Sequence, residues 1–150
     1  MIGLDSNVIV RILTGDDARQ QQAALAFLRA NCSNEHPGWI NRIVTVEIAW
    51  VLERAYKFTH EQIADAMERL LHTAELRFED HDAIRVALAT YRQGADLADA
   101  LLGEINREKA CTTTITFDRR AAERLPAFTL LDAQGALGSP GRGRAPHVHG

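Results

Sequence analysis

Five short segments rich in apolar or β-branched residues alternate with longer stretches of helical periodicity, and this alternation constrains the fold more than any other feature. The segments, which we predict to be strands, are residues 2–4, 39–40, 76–78, 111–117 and 128–131. Between them, apolar residues recur every three or four positions, as they do on one face of a helix. Strands separated by helices are joined by crossover connections, which favour a parallel sheet covered on both faces. Right-handed crossovers then predict an α/β fold, a doubly wound three-layer sandwich.

The length and composition indicate one domain followed by a tail. The chain has 150 residues, 46% of them hydrophobic and 25% charged, which is enough for one compact domain with a core. After residue 132, glycine, proline and arginine replace the apolar residues. We therefore predict one domain over residues 1–132 and a disordered tail over residues 133–150.

The N-terminal residues and the cysteines bear on the cellular compartment. The first segment carries Asp5 and Arg11 and has no long apolar run, so we expect neither a signal peptide nor a membrane span. Cys32 and Cys111 lack the spacing of a zinc site. We interpret them as two free thiols of a cytoplasmic protein.

Two aspartates stand at the ends of predicted strands. Asp5 follows the first strand, and Asp118 follows the β-branched segment TTTITF. In an open parallel sheet, ligands bind beyond the carboxyl ends of the strands, near a switch in strand order. If these two strands are neighbours, the two carboxylates converge there. The alternative for each residue alone is that it caps the helix that follows, because aspartate is a preferred N-cap.

Glu47 stands within the apolar segment VTVEIAWVL. It lies three residues after Val44 and four before Val51, so we predict that it shares their inward face on a helix. A buried carboxylate needs a partner, because leaving it unpaired costs several kcal/mol, roughly. That partner is either a buried arginine or a cation shared with other carboxylates.

Two further acids occupy the segment GADLADALL. Asp96 and Asp99 are three residues apart, which places them on one side of the first turn of a helix. Asp96 is a suitable N-cap, and Asp99 can answer it in the manner of a capping box. The box prefers Glu or Gln at that position, so it explains Asp96 better than Asp99.

Together these positions predict several carboxylates at one edge of one sheet. Like charges so close together repel each other, and hard divalent cations relieve that repulsion. Oxygen ligands without Cys or His select Mg²⁺ or Mn²⁺ over zinc, and Mg²⁺ favours sites that substrate phosphates complete. The net charge of −3 argues against binding nucleic acid through the overall field, unless metal ions neutralise these acids.

Four segments, taken in order, resemble the PIN-domain ribonucleases, and in particular the VapC type of bacterial toxin. They are LDSNVIVRIL, VEIAWVLERAY, ADLADALL and TTTITFDRR. The resemblance covers residues 1 to about 132. No single motif is long, but their order and spacing within one small domain make the combination specific.

The resemblance implies a PIN-like (Rossmann-like) three-layer α/β/α sandwich with a five-stranded parallel sheet. It implies an acidic quartet that holds one or two Mg²⁺ or Mn²⁺ ions, formed by Asp5, Glu47, Asp99 and Asp118. Asp96 resembles an additional acid that some relatives carry. The small polar residues that resemble the support of this site are Ser6, Asn7 and Thr116.

The activity implied by the resemblance is that of a metal-dependent endoribonuclease, the toxin of a toxin–antitoxin module. Hydrolysis of RNA would leave a 5′-phosphate and a 3′-hydroxyl, with Glu47 either binding a metal or orienting the attacking water. Such toxins form homodimers and pair with a small antitoxin, which lays a helical segment over an apolar groove and blocks the site.

Several cations are candidates for contacting RNA phosphates, although a solvated surface charge is the simpler interpretation of each. They are Arg11, Arg42, Arg54, Lys57, Arg119 and Arg120. One position departs from the resemblance. Gly103 stands in a segment that relatives fill with alanines, and it should weaken that helix by about 1 kcal/mol.

Two other functions remain open at this stage. A phosphatase with Asp5 as a covalent nucleophile would need a second acid two residues later, where this chain has Asn7. A non-catalytic interaction domain would keep the fold and bind a partner without chemistry, but it would not be expected to retain four acids.

Overall fold

The computed structural model describes residues 1–139 and divides into two compact units. The first unit is Met1–His81, and the second begins at Asp82. No helix within residues 1–139 is both long and apolar enough to cross a bilayer. The predicted tail falls mainly beyond the described residues, so that prediction stays open for residues 140–150.

The first unit is a small parallel sheet packed against four helices. Its elements are β1 (Ile2–Gly3), α1 (Ser6–Thr14), α2 (Ala18–Asn31), β2 (Gly38–Ile40), α3 (Arg42–Arg54), α4 (His60–Leu71) and β3 (Leu76–Phe78). The strands pair in the order β1-β2-β3, and α1 packs against both α2 and α3. The centre of the core contains fully buried side chains from these elements: Ile9, Ile40, Ile48, Leu52, Ile63 and Met67.

The second unit contains the remaining helices and two parallel strands. Its elements are α5 (His81–Arg92), which starts at the unit boundary, α6 (Leu97–Glu108), β4 (Thr114–Thr116), α7 (Arg119–Arg124) and β5 (Phe128–Leu130). β4 pairs with β5 in parallel, and α7 connects them. The core here is built from Ile84, Leu88, Tyr91, Leu101 and Phe128.

Short polar side chains determine where most helices begin. Six N-cap residues accept a hydrogen bond from a backbone N–H of the first helical turn: Asp5, Asp17, Asn41, Thr59, Asp96 and Asp118. At α4, Gln62 also returns a bond to the Thr59 backbone, which completes a capping box. These bonds satisfy backbone donors that a helix leaves without an internal partner.

The prediction of one five-stranded sheet is wrong at the level of backbone hydrogen bonds. Among the described residues, the strands form a three-stranded and a two-stranded parallel sheet. The N–H groups of Ile2 and Leu4 donate to the Pro37 and Trp39 carbonyls beside β1. β1 is only two residues long, and its backbone pairs with β2.

Gly103 is explained by a close approach between α6 and the β5 region. A Cβ at this position would lie 2.9 Å from the Ala127 Cβ and 3.0 Å from the Phe128 ring. The lower helical propensity of glycine is therefore the cost of bringing the helix this near. An alanine in this place would have to displace one of these two neighbours.

After β5, residues 132–137 form a hydrogen-bonded turn, while the predicted domain boundary and tail remain predictions. Asp132 Oδ1 accepts bonds from the backbone N–H groups of Gln134 and Ala136, at 2.9 and 2.8 Å. Leu131 and Leu137 then form an antiparallel bridge. The turn is local chemistry, since aspartate readily accepts bonds from the backbone of the residues that follow it.

Candidate active site

In the first unit, a serine hydroxyl joins two of the predicted acids. Ser6 Oγ donates to Glu47 Oε2 at 3.1 Å and lies 3.4 Å from Asp5 Oδ1. The backbone N–H of Ser6 donates to the same Asp5 oxygen at 2.7 Å, which caps α1. Ser6 itself is buried, so this connection between β1, α1 and α3 is fixed by packing.

Glu47 is exposed, so its predicted inward orientation is wrong. The buried face of α3 consists of Val44, Thr45, Ile48, Ala49 and Leu52. At roughly 100° per residue, Glu47 lies about 130° from the centre of that face. The prediction compared Glu47 only with Val44 and Val51, and Val51 is itself only half-buried. Solvent and the Ser6 hydroxyl surround this carboxylate instead of the core.

In the second unit, three carboxylates line one pocket of about 220 Å³. Asp96 and Asp99 come from the start of α6, and Asp118 comes from the end of β4. Asp96 Oδ1 accepts from the Asp99 N–H at 2.9 Å, and Asp118 Oδ1 accepts from the Ala121 N–H at 3.1 Å. Both residues thus cap a helix, as the simpler interpretation proposed, and both also face the pocket.

Asp99 carries the electrostatic strain of this pocket. Partial burial raises the pKa of its carboxyl above the usual value, and the negative charges of Asp96 and Asp118 raise it further. A raised carboxyl pKa means that the charged form is disfavoured where it stands. The pocket therefore holds negative charge that a bound cation would stabilise.

The predicted supporting residues divide into two that contact the acids and one that lies elsewhere. Ser6 joins Asp5 and Glu47, as described above. Thr116 Oγ1 accepts from the backbone N–H of Asp118 at 3.0 Å, which fixes the turn at the end of β4. Asn7 lines a separate groove between α1 and α2.

The predicted RNA-binding arginines also differ in their surroundings. Arg120 lines the acidic pocket, and so does Arg124, which the sequence analysis did not select. Arg124 stands four residues after Arg120 on α7, and this spacing places both on one helix face. The sequence could therefore have predicted Arg124 beside Arg120. Arg119 is exposed.

Arg11 is committed to a structural cluster. Its Nη1 donates to Asp16 at 3.0 Å and to the Tyr56 hydroxyl at 2.9 Å, while its Nε donates to Gln20 at 2.6 Å. Tyr56 in turn donates to Asp16 Oδ2 at 2.5 Å. This cluster ties α1, α2 and the end of α3 together, which gives Arg11 a packing role.

The structure brings together Asp5 with Glu47 in the first unit, and Asp96, Asp99 and Asp118 in the second. Within residues 1–139, no three Asp, Glu, His or Cys side chains are spaced to enclose a metal ion by themselves. Mg²⁺ does not need such a cage, because it retains waters and uses one or two carboxylates with substrate phosphates. The carboxylate-only donors and the strained charge of Asp99 fit an ion of this kind.

Comparison with known proteins identifies the family. The family model described as PIN domain matches residues 2–126, most of the chain. The protein therefore belongs to the PIN domain family, whose α/β fold and metal-dependent nucleases agree with the sequence resemblance. A comparison with curated proteins finds no match, so the family is the level at which the chain is identified.

Proposed function

We propose that this protein is a Mg²⁺- or Mn²⁺-dependent endoribonuclease and the toxin of a toxin–antitoxin module. The observation that carries the proposal is the pocket that Asp96, Asp99 and Asp118 line in a PIN domain. Its negative charge is strained, as the raised pKa of Asp99 indicates, and a divalent cation relieves that strain. A cation bound there would present its free positions to a phosphodiester.

In this proposal, Asp99 and Asp118 hold one or two metal ions together with Asp5, and Asp96 adds an oxygen from beside its cap. Family membership, rather than a measured distance, is the reason for joining the two acid groups in one reaction. The ion would neutralise charge on the phosphodiester and lower the pKa of a water molecule.

The chain's own residues supply orientation and charge. Ser6 holds one oxygen of Glu47, which leaves the other free to orient the attacking water and accept its proton. The water oxygen bonds to phosphorus as the 3′ oxygen leaves and takes up a proton. The products are a 5′-phosphate and a 3′-hydroxyl. Arg120 and Arg124, beside the same acids, contact the phosphate oxygens.

Purified protein provides the first test. We expect cleavage of RNA with Mg²⁺ or Mn²⁺, complete loss of cleavage in chelator, and loss in the variant Asp118→Asn. Mapping of the RNA ends should find 5′-phosphates. Cleavage that persists in chelator and in this variant would disprove the mechanism. No rise in melting temperature with Mn²⁺, together with no cleavage, would favour the non-catalytic interaction domain, because a bound ligand stabilises the folded state.

The toxin role adds a partner and a compartment. We propose a cytoplasmic homodimer that a small antitoxin inhibits. The groove that Asn7, Val8 and Ala24 line between α1 and α2 is a candidate seat for an antitoxin helix. Expression in a bacterial host should arrest growth, and co-expression of the small open reading frame beside the gene should restore it. Growth without arrest, although the protein cleaves RNA in vitro, would contradict the toxin role alone.

A further inference from the structure

The solvent face of α3 carries an exposed tryptophan beside the catalytic candidate Glu47. Trp50 is 56% exposed and Ile43 is 66% exposed, although both are large apolar side chains. Glu47 lies between them, four residues after Ile43 and three before Trp50. Residues at these spacings are neighbours on a helix, with about 5–6 Å between their Cβ atoms. Trp50 therefore adjoins the carboxylate that Ser6 holds.

A guanidinium covers part of the Trp50 ring. The Arg54 Cζ lies 5.1 Å from the ring centroid, in the arrangement of a cation–π pair. Arg54 is one turn further along α3 and keeps the ring positioned while leaving more than half of the side chain accessible. The result is a flat aromatic surface with a positive charge at one side.

The positive charge of Arg54 differs from that of two other arginines of the first unit, which pair with acids. Arg11 pairs with Asp16 at 3.0 Å, and Arg42 pairs with Asp80 at 2.8 Å. Arg54 contacts the Trp50 ring, and no carboxylate partner of Arg54 or Lys57 is found among residues 1–139. The end of α3 thus carries Arg54 and Lys57 beside one acid, Glu53, whose carboxylate lies 3.4 Å from His60. The balance of charge there is positive, which complements a polyanion.

We propose that Trp50 is a substrate-positioning residue, on whose ring an unstacked base of single-stranded RNA stacks while Arg54 contacts the adjoining phosphate. The inference rests on the proposed ribonuclease function and names the form of its substrate. A tryptophan face can accept any base, so the contact selects for a free base and not for a sequence. A paired base in an A-form helix presents no such face, so the surface disfavours duplex RNA.

Tryptophan fluorescence tests the stacking directly and without cleavage. The chain has two tryptophans, Trp39 and Trp50, and Trp39 is half-buried in β2. A single-stranded oligoribonucleotide, added in chelator so that no cleavage occurs, should quench the fluorescence of the full-length protein. The same sequence as a blunt duplex, and inorganic polyphosphate, should quench much less. The variant Trp50→Phe should lose the quenching but keep binding, because phenylalanine also stacks.

Side-chain chemistry separates stacking from mere apolar contact. In fluorescence anisotropy, Trp50→Leu should weaken binding of the single strand by about 10-fold, and Trp50→Phe by much less. Ile43→Ala is the matched control, because Ile43 lies one turn before Glu47 and Trp50 one turn after it. This variant should bind the single strand normally. Binding that is equal for Trp50→Leu and wild type would overturn the proposal, as would failure of the wild type to bind RNA in chelator.

A second copy of the chain could occupy the Trp50 face instead of RNA, and the oligomeric state distinguishes these two cases. Sedimentation should give the same oligomer for wild type and Trp50→Leu. A variant that dissociates while its monomer binds the oligonucleotide normally would show that the face is a dimer contact and would overturn the inference. Because binding is measured without turnover, it can hold even if the protein does not cleave RNA, so the two proposals fail separately.

Discussion

The two acidic groups of this protein are stabilised in opposite ways. In the first unit, Asp5 and Glu47 share hydrogen-bond donors from Ser6, at its backbone N–H and its hydroxyl. In the second, Asp96, Asp99 and Asp118 surround a pocket in which each charge disfavours the charge of Asp99. Ser6 donates to both acids of the first group, whereas in the second the cap bonds of Asp96 and Asp118 leave Asp99 as the acid whose charge is disfavoured. We therefore expect the second unit to provide most of the metal affinity, and the first unit to orient the attacking water through Glu47.

Substitution of Asp99 should have the largest effect on metal binding and on RNA cleavage. Asp99→Asn removes the most strained carboxylate, so the Mn²⁺-dependent rise in melting temperature should disappear. Cleavage should fall by about 100-fold or more, because a catalytic metal supplies several kcal/mol. Without metal, the variant should melt at a higher temperature than wild type, since its neighbours no longer repel a buried charge.

The control for this experiment is Asp17→Asn. Asp17 caps α2 and lines neither acidic group, so its variant should retain both the metal shift and the cleavage. Calorimetry with and without Mn²⁺ measures the shift. If Asp99→Asn kept a full metal response, the concentration of metal affinity in the second unit would be refuted.

Removal of the Ser6 hydroxyl should affect RNA cleavage without affecting the metal response of the second unit. Ser6→Ala leaves both acids in place but frees Glu47, so we expect cleavage to fall by about 10-fold, a typical cost of losing an outer hydrogen-bond partner. The Mn²⁺-dependent shift should remain, because the second unit is unchanged. Asn7→Ala, the next residue along α1, should cleave at nearly the wild-type rate. Equal losses in the two variants would argue against a role of the hydroxyl.

The close packing of α6 should matter for stability more than for chemistry. Gly103→Ala places a Cβ within 2.9 Å of Ala127, and overpacking of this kind costs roughly 1–3 kcal/mol. Since alanine recovers about 1 kcal/mol of helix propensity, we expect a net loss of about 1 kcal/mol in urea unfolding. Gly3→Ala in the first unit is the control, because its Cβ would meet nothing within 4 Å. A more stable Gly103→Ala would contradict the packing explanation.

The smallest expected effect concerns Asp16, whose carboxylate is hydrogen-bonded by Tyr56, Thr14 and Arg11. The Tyr56 hydroxyl lowers the pKa of this carboxyl, and Thr14 and Arg11 add to the shift. A lowered pKa in the folded state stabilises the fold above the ordinary value of 3.8, and that stability is lost as the pH falls through the lowered value. Tyr56→Phe should therefore reduce the melting temperature slightly at neutral pH and flatten its fall in acid. Asp16→Asn should show the same flattening, and an unchanged acid profile in both would refute the assignment.

Local chemistry explains what the sequence could predict. The starts of α2, α4 and α6 follow from Asp17, Thr59 and Asp96, whose caps involve only the next three residues. The same holds for the alternation of strands and helices, since each element depends on its own periodicity. Asp118 was predicted because it ends a strand, whereas Asp99 was preferred over Asp96 on the family resemblance.

Long-range packing explains what it could not. The orientation of Glu47 depends on which face of α3 meets α1 and α4, and two neighbouring valines do not determine that face. Gly103 looked like a defect until its contact with Phe128 was known. The division of the described strands into a three-stranded and a two-stranded sheet is a matter of long-range pairing, which no local pattern reveals.

Three of the acids have a second task whose consequence is evolutionary. Asp5, Asp96 and Asp118 each use one carboxylate oxygen to start a helix, and asparagine performs that task as well as aspartate. Aspartate and asparagine codons differ by one nucleotide. A single mutation can therefore silence the chemistry while leaving a folded chain with its outer surfaces unchanged. If the protein is the proposed toxin, such an allele would still encode a chain that binds an inhibitor but would no longer cleave RNA.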